Sequence, residues 1–127
     1  MRKVLVVDDD SGVRSVLSAI IMRKGGFHVA EASSLAEATA MCLDNRYDLV
    51  FLDHMLRDGI GWEIAELISL NPQKFGNPMI IAMSGSVPQE KAMKSGLHYS
   101  EFMPKPFAVA QIEGILEKLP EESSSGN

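Results

Sequence analysis

The chain has 127 residues, a net charge of −5, 46% hydrophobic and 23% charged residues, values that suit one globular domain. The acidic balance argues against direct nucleic-acid binding, which calls for clustered Lys and Arg. No apolar run approaches the ~20 residues of a membrane span, the start MRKVLVVDDD lacks a signal-peptide pattern, and the single Cys42 allows no internal disulfide, so a cytoplasmic, membrane-free location is expected.

In chain order, Val4–Val7 is a short hydrocarbon run that ends in Asp8, Asp9 and Asp10. Such runs suit strands covered on both faces. Val13, Val16, Leu17, Ile20 and Ile21 then recur at the spacing of one helix face, and Gly25-Gly26 supplies a stop. Asp10 is expected to cap this helix, with Ser11 as the rival cap. A more mixed strand is expected over Phe27–Ala32.

Ser34 with Glu37 forms a capping-box pattern, and Leu35, Ala38, Met41 and Cys42 make the buried stripe of a second helix. Leu49–Leu52 is a second apolar strand, followed directly by Asp53. A third helix is expected from near Gly61, burying Ile64, Ala65, Leu67 and Ile68 and stopping before Pro72. Met79–Met83 is the third apolar strand, ending in Ser84. A short fourth helix is expected after Ser86, stopping at Gly96. A fifth strand over Tyr99–Met103 leads to Pro104-Lys105-Pro106, and a last helix from about Ala108 buries Ile112, Ile115, Leu116 and Leu119. Residues 1–120 read as one domain, and residues 121–127 as a disordered polar tail.

Five successive βα units predict an α/β fold: a doubly wound parallel sheet with helices on both faces. The order 2-1-3-4-5 places the three apolar strands centrally. In such a sheet ligands bind beyond the carboxyl ends of the strands, where the winding reverses. Asp8, Asp9, Asp53, Ser84 and Lys105 all fall at those ends. Clustered carboxylates repel one another unless a cation joins them, and all-oxygen donors favour a hard ion such as Mg²⁺. One carboxylate could then act as nucleophile toward a phosphoryl group, with the lysine and hydroxyl sharing the charge.

In VLVVDDD, LVFLDHML, IIAMSGS and FMPKPF, over about residues 2–119, the chain resembles the receiver domain of two-component response regulators. The resemblance implies that Asp53 accepts a phosphoryl group from a sensor histidine kinase or phosphotransfer protein. It implies Mg²⁺ held by the side chains of Asp9 and Asp53, by Asp8 through water and by the backbone carbonyl of Met55, with Ser84 and Lys105 meeting the phosphoryl group. Ser84 and Phe102 would form the switch, and the Lys105–Pro106 peptide is expected to be cis.

The fourth helix, fifth strand and fifth helix would present a face to an output partner or to a second copy in a phosphorylation-dependent dimer. Such a protein is a signalling switch, catalysing only its own phosphorylation and dephosphorylation. The family's Met-Pro-Gly-x-Asp-Gly stretch is here Leu56-Arg-Asp-Gly-Ile-Gly61, with Arg57 for the proline and Ile60 for the acid. His54 beside the acceptor reads as a surface or supporting imidazole rather than a ligand. The alternative reading is a receiver-like interaction module that is never phosphorylated. An aspartate-nucleophile phosphatase is disfavoured because Met55 stands where a second acid belongs, and a flavin site because the first loop is acidic.

Overall fold

The computed structural model describes residues 1–85 and 99–119. In chain order these form β1 (Arg2–Val7), α1 (Ser11–Lys24), β2 (Phe27–Ala32), α2 (Leu35–Asp44) and β3 (Leu49–Asp53), then β4 (Met55–Leu56) and β5 (Gly59–Ile60). After these come α3 (Trp62–Ser69), α4 (Pro72–Phe75), β6 (Met79–Ser84), β7 (Glu101–Pro104) and α5 (Val109–Lys118). The expected helix between Ser86 and Gly96 and the expected tail over 121–127 lie outside the described residues, as does His98.

Five parallel strands form one sheet in the order β2-β1-β3-β6-β7, which is the expected 2-1-3-4-5 arrangement. Successive residues of β1 point to opposite faces, so Val4 and Val6 join one buried cluster and Leu5 and Val7 the other. The first cluster packs α1 and α5 against the sheet through Leu17, Ile21, Ile112 and Leu116. The second packs α2, α3 and α4 through Ala38, Ile64, Ile68 and Phe75. Each of these Leu, Ile and Phe side chains gains about 1.5–3 kcal/mol from full burial. That two-sided burial explains why Val4–Val7, Leu49–Leu52 and Met79–Met83 are nearly pure hydrocarbon.

Local signals act largely as the sequence suggests. Asp10 caps α1, its Oδ1 accepting from Gly12 N at 2.8 Å and Val13 N at 3.3 Å. Gly25 and Gly26 end it at φ 81° and 85°, a backbone region costly for other residues. Val16 departs from expectation, being 53% exposed, because the face of α1 that meets the sheet is centred on Leu17 and Ile21. The box at α2 is offset by one residue. Ser34 Oγ accepts from Glu37 N, whereas Glu37 Oε1 reaches back to Ser33 N at 2.6 Å. Pro72 opens the single-turn α4, where its missing N–H costs nothing, as well as ending the run after α3. The last strand begins two residues later than expected, since Tyr99 turns toward Trp62.

The loop after β3 is a hairpin, in which β4 and β5 pair antiparallel through Met55 with Ile60 and Leu56 with Gly59. Gly61 closes it against the sheet, and a Cβ there would lie 2.3 Å from the Asp53 carbonyl oxygen. Backbone cannot yield as a side-chain tip can. Gly61→Ala should therefore cost about 1–3 kcal/mol or more, read as a lowered midpoint in urea denaturation.

Candidate functional site

Strand register assembles the site. Val7 pairs with Leu52, so the next residues, Asp8 and Asp53, leave the sheet side by side. Asp53 in turn pairs with Met83, and Ser84 with Pro104, which sets Ser84 and Lys105 on the same edge. Asp8, Asp53 and Ser84 are buried polar residues at strand ends, and Asp9 is half-buried.

Lys105 links the two buried carboxylates. Its Nζ lies 2.6 Å from Asp8 Oδ2 and 3.5 Å from Asp53 Oδ2. Asp8 Oδ1 accepts from Asp10 N at 2.9 Å, and Asp53 Oδ1 accepts from Met55 N at 3.3 Å. Lys105 is itself placed by its backbone N–H, which donates to the Ser84 carbonyl at 2.8 Å, and the Lys105–Pro106 peptide is cis. Asp9 faces Arg57, with Nε to Oδ2 at 3.9 Å.

Burial and the neighbouring charge of Asp8 push the Asp53 carboxyl up to about 6, against the opposing pull of Lys105. Burial works to lower the Lys105 ammonium, but its hydrogen bond to Asp8 and the charges of Asp53 and Asp8 hold it above its ordinary value. Three carboxylates around one lysine leave an excess of negative charge. Ligand oxygens of Asp8, Asp9 and Asp53 lie within 4.8 Å of one another, and such an all-oxygen donor set fits a small hard divalent ion.

A second ring of contacts holds the acidic loop. Arg14 donates to the Asp8 carbonyl at 2.7 Å and to Glu31 Oε1 at 3.2 Å, and Ser18 Oγ donates to Glu31 Oε2 at 2.8 Å. Sequence reasoning did not single out Arg14, Ser18 or Glu31. Each is polar on or beside a segment assigned by its apolar positions.

His54 follows Asp53 and is tied at three points. Its N–H donates to the Met83 carbonyl, its carbonyl accepts from Gly61, and its Nδ1 lies 3.0 Å from the Tyr99 hydroxyl. Burial lowers the imidazole's proton affinity. The ring is thus tied to Tyr99 beside the end of β3. Tyr99 packs edge-on against Trp62, with centroids 5.3 Å apart, and its phenol is raised by burial and by the charge of Asp53.

Of the other expected residues, Met55 lies on β4 with an exposed side chain. Phe102 is half-buried on β7, level with Ala82, and lines a groove with Gln111, Ile115 and Lys118. On the flank of Lys105, a mainly apolar groove of about 580 Å³ is lined by Gly12, Val13, Val16, Pro106 and Phe107. The exposed Val16 belongs to this groove.

The family model described as the response regulator receiver domain matches residues 4–117. The chain is 30% identical over 118 residues to the transcriptional regulatory protein LytR of Staphylococcus aureus, covering 92% of this chain and 46% of that one. It is 30% identical over 126 residues to the sensory transduction protein LytT of Bacillus anthracis, covering 98% of this chain and 50% of that one. The chain thus spans about half the length of these curated relatives. Among solved structures it is similar to the beryllofluoride-activated NtrC4 receiver domain dimer, with 30% identity, a TM-score of 0.82, and 92% and 94% of the two chains covered. It is also similar to a CheY-like receiver domain protein from Methanospirillum hungatei, with 25% identity, a TM-score of 0.80 and 99% of each chain covered.

Proposed function

Because this chain belongs to the response regulator receiver domain family, we propose that it is a phosphorylatable switch whose acceptor is Asp53. The observation that carries this reading is the meeting of Asp53, Asp8 and Lys105 at one buried edge, with Lys105 Nζ 3.5 Å from Asp53 Oδ2.

Even without a cation, a carboxyl at about 6 is mostly ionised at neutral pH, so Asp53 has a lone pair available for attack on phosphorus. An Asp53 carboxylate oxygen forms the new P–O bond while the donor's P–N bond to a histidine imidazole breaks. The leaving imidazole then takes a proton from solvent. Lys105 exchanges part of its pairing with Asp8 for the arriving phosphoryl oxygens, and the Ser84 hydroxyl donates to them. Asp8, Asp9, Asp53 and the Met55 carbonyl would hold Mg²⁺, which when bound neutralises negative charge on the phosphoryl group. Subsequent attack of water on the acyl phosphate resets the switch.

The donor is a sensor histidine kinase or phosphotransfer protein, and the output face is that of β7 and α5 with the segment before them. Phe102 on β7 would follow the movement of Ser84 toward the phosphoryl group. Partner docking and a phosphorylation-dependent dimer both fit this face, with Phe102, Gln111, Ile115 and Lys118 forming its groove.

Incubation with acetyl phosphate and Mg²⁺ tests the proposal by intact mass. The expected product carries one phosphoryl group, lost when Mg²⁺ is chelated before labelling. An unmodified mass under both conditions would instead favour a receiver-like interaction module.

A further inference from the structure

The hairpin after β3 carries a feature that the phosphoacceptor chemistry does not use. Its turn, Arg57-Asp58, is held firmly from outside. The two Asp58 carboxylate oxygens accept from the first backbone N–H groups of α2, Leu35 at 2.8 Å and Ala36 at 3.1 Å. The helix dipole favours a negative charge at that end. Gly59, at φ 155°, sits where a Cβ would fall 2.3 Å from Leu35 Cδ1, so the hairpin lies directly on α2. Ile60 N–H donates to Glu63 Oε2 at 3.2 Å, which ties the returning strand to α3.

With Asp58 turned outward onto α2, Arg57 is directed across the mouth of the acidic cluster, where its guanidinium faces Asp9. Lys105 is already engaged by Asp8 and Asp53, and Arg14 by Glu31 and the Asp8 carbonyl. Among the described residues, Arg57 is therefore the cation placed to serve Asp9.

Resting on the proposed cation site, we infer that Arg57 is a built-in competitor for Asp9, which a divalent cation must displace, and so sets the affinity of that site. A guanidinium and a divalent ion cannot share one carboxylate without mutual repulsion. Binding therefore breaks the Arg57–Asp9 pair and moves the guanidinium outward. The pair is exposed on the arginine side, so its contribution is modest and open to screening. Removing it should tighten cation binding about two- to tenfold at low ionic strength.

Calorimetric titration of the intact chain with Mg²⁺ alone, without any phosphodonor, tests this. Arg57→Ala and Arg57→Gln are expected to bind Mg²⁺ more tightly, and Arg57→Lys to resemble the parent. The gap between parent and Arg57→Ala should close in about 1 M salt, where the Debye length falls to ~3 Å. Equal or weaker binding by both neutral variants overturns the inference while leaving the cation site intact. Absence of saturable Mg²⁺ binding by the parent protein overturns the cation site itself, and this inference with it.

Discussion

Asp53→Asn should abolish phosphoryl labelling and, in the same variant, make the metal-free protein more stable. The first effect follows from loss of the only nucleophile proposed, since an amide cannot form the acyl phosphate. The second follows from the folded-state carboxyl lying at about 6 against an ordinary 3.8. Between these values the folded state binds the proton and the unfolded state has released it. Stability therefore falls as pH rises through that window, and the full penalty of about 2–3 kcal/mol applies above it. The asparagine variant escapes this penalty. Urea denaturation with a chelator should show the variant about 2–3 kcal/mol more stable at pH 8, with the gap closing below pH 4. A variant no more stable than the parent at pH 8 would show that Asp53 is not destabilised by its neighbours.

Lys105→Met should act in the opposite sense on stability and in the same sense on labelling. The methionine keeps much of the side-chain volume but leaves Asp8, with a side chain 1% exposed, without its 2.6 Å partner. Stranding a buried charge typically costs about 3–5 kcal/mol. Labelling by acetyl phosphate should fall about 10²–10³-fold, the usual effect of removing one charge-stabilising donor. Adding Asp8→Asn to Lys105→Met removes the stranded charge and should restore much of the stability without restoring labelling. Urea denaturation and time-resolved mass spectrometry separate these two effects. Labelling near the parent's rate by folded Lys105→Met alone would mean that Lys105 acts only as a structural counter-ion.

The positions legible in the sequence lie at strand ends: Asp8, Asp53 and Ser84 directly follow apolar runs, and Lys105 follows the mixed last strand. Asp8, Asp53, Ser84 and Lys105 could be placed on one edge because strand identity and strand order followed from burial, and burial leaves a mark on local composition. The contacts that were not legible join residues far apart in the chain through single polar atoms. Asp58 caps α2 from 23 residues away, and Tyr99 reaches His54 across 45. No periodicity records such pairings. The loop at Arg57–Ile60 is recognisable as unusual, but its hairpin pairing and the anchoring of Asp58 on α2 are tertiary contacts that local sequence does not record. Val16 was misassigned because the spacing of apolar residues on α1 is wider than the face that the sheet covers. Its apolar character instead borders the groove beside Lys105.

The packing of Trp62 on Tyr99 has a spectroscopic consequence. Trp62 is the chain's one tryptophan, so all of its indole emission arises from a ring packed edge-on against the phenol that is hydrogen-bonded to the residue after Asp53. At a centroid separation of 5.3 Å, excitation absorbed by Tyr99 passes readily to Trp62, and the emission reports the polarity and geometry of that pair. The protein thus carries an intrinsic optical probe one hydrogen bond from the residue that follows Asp53, with no second indole to dilute the signal.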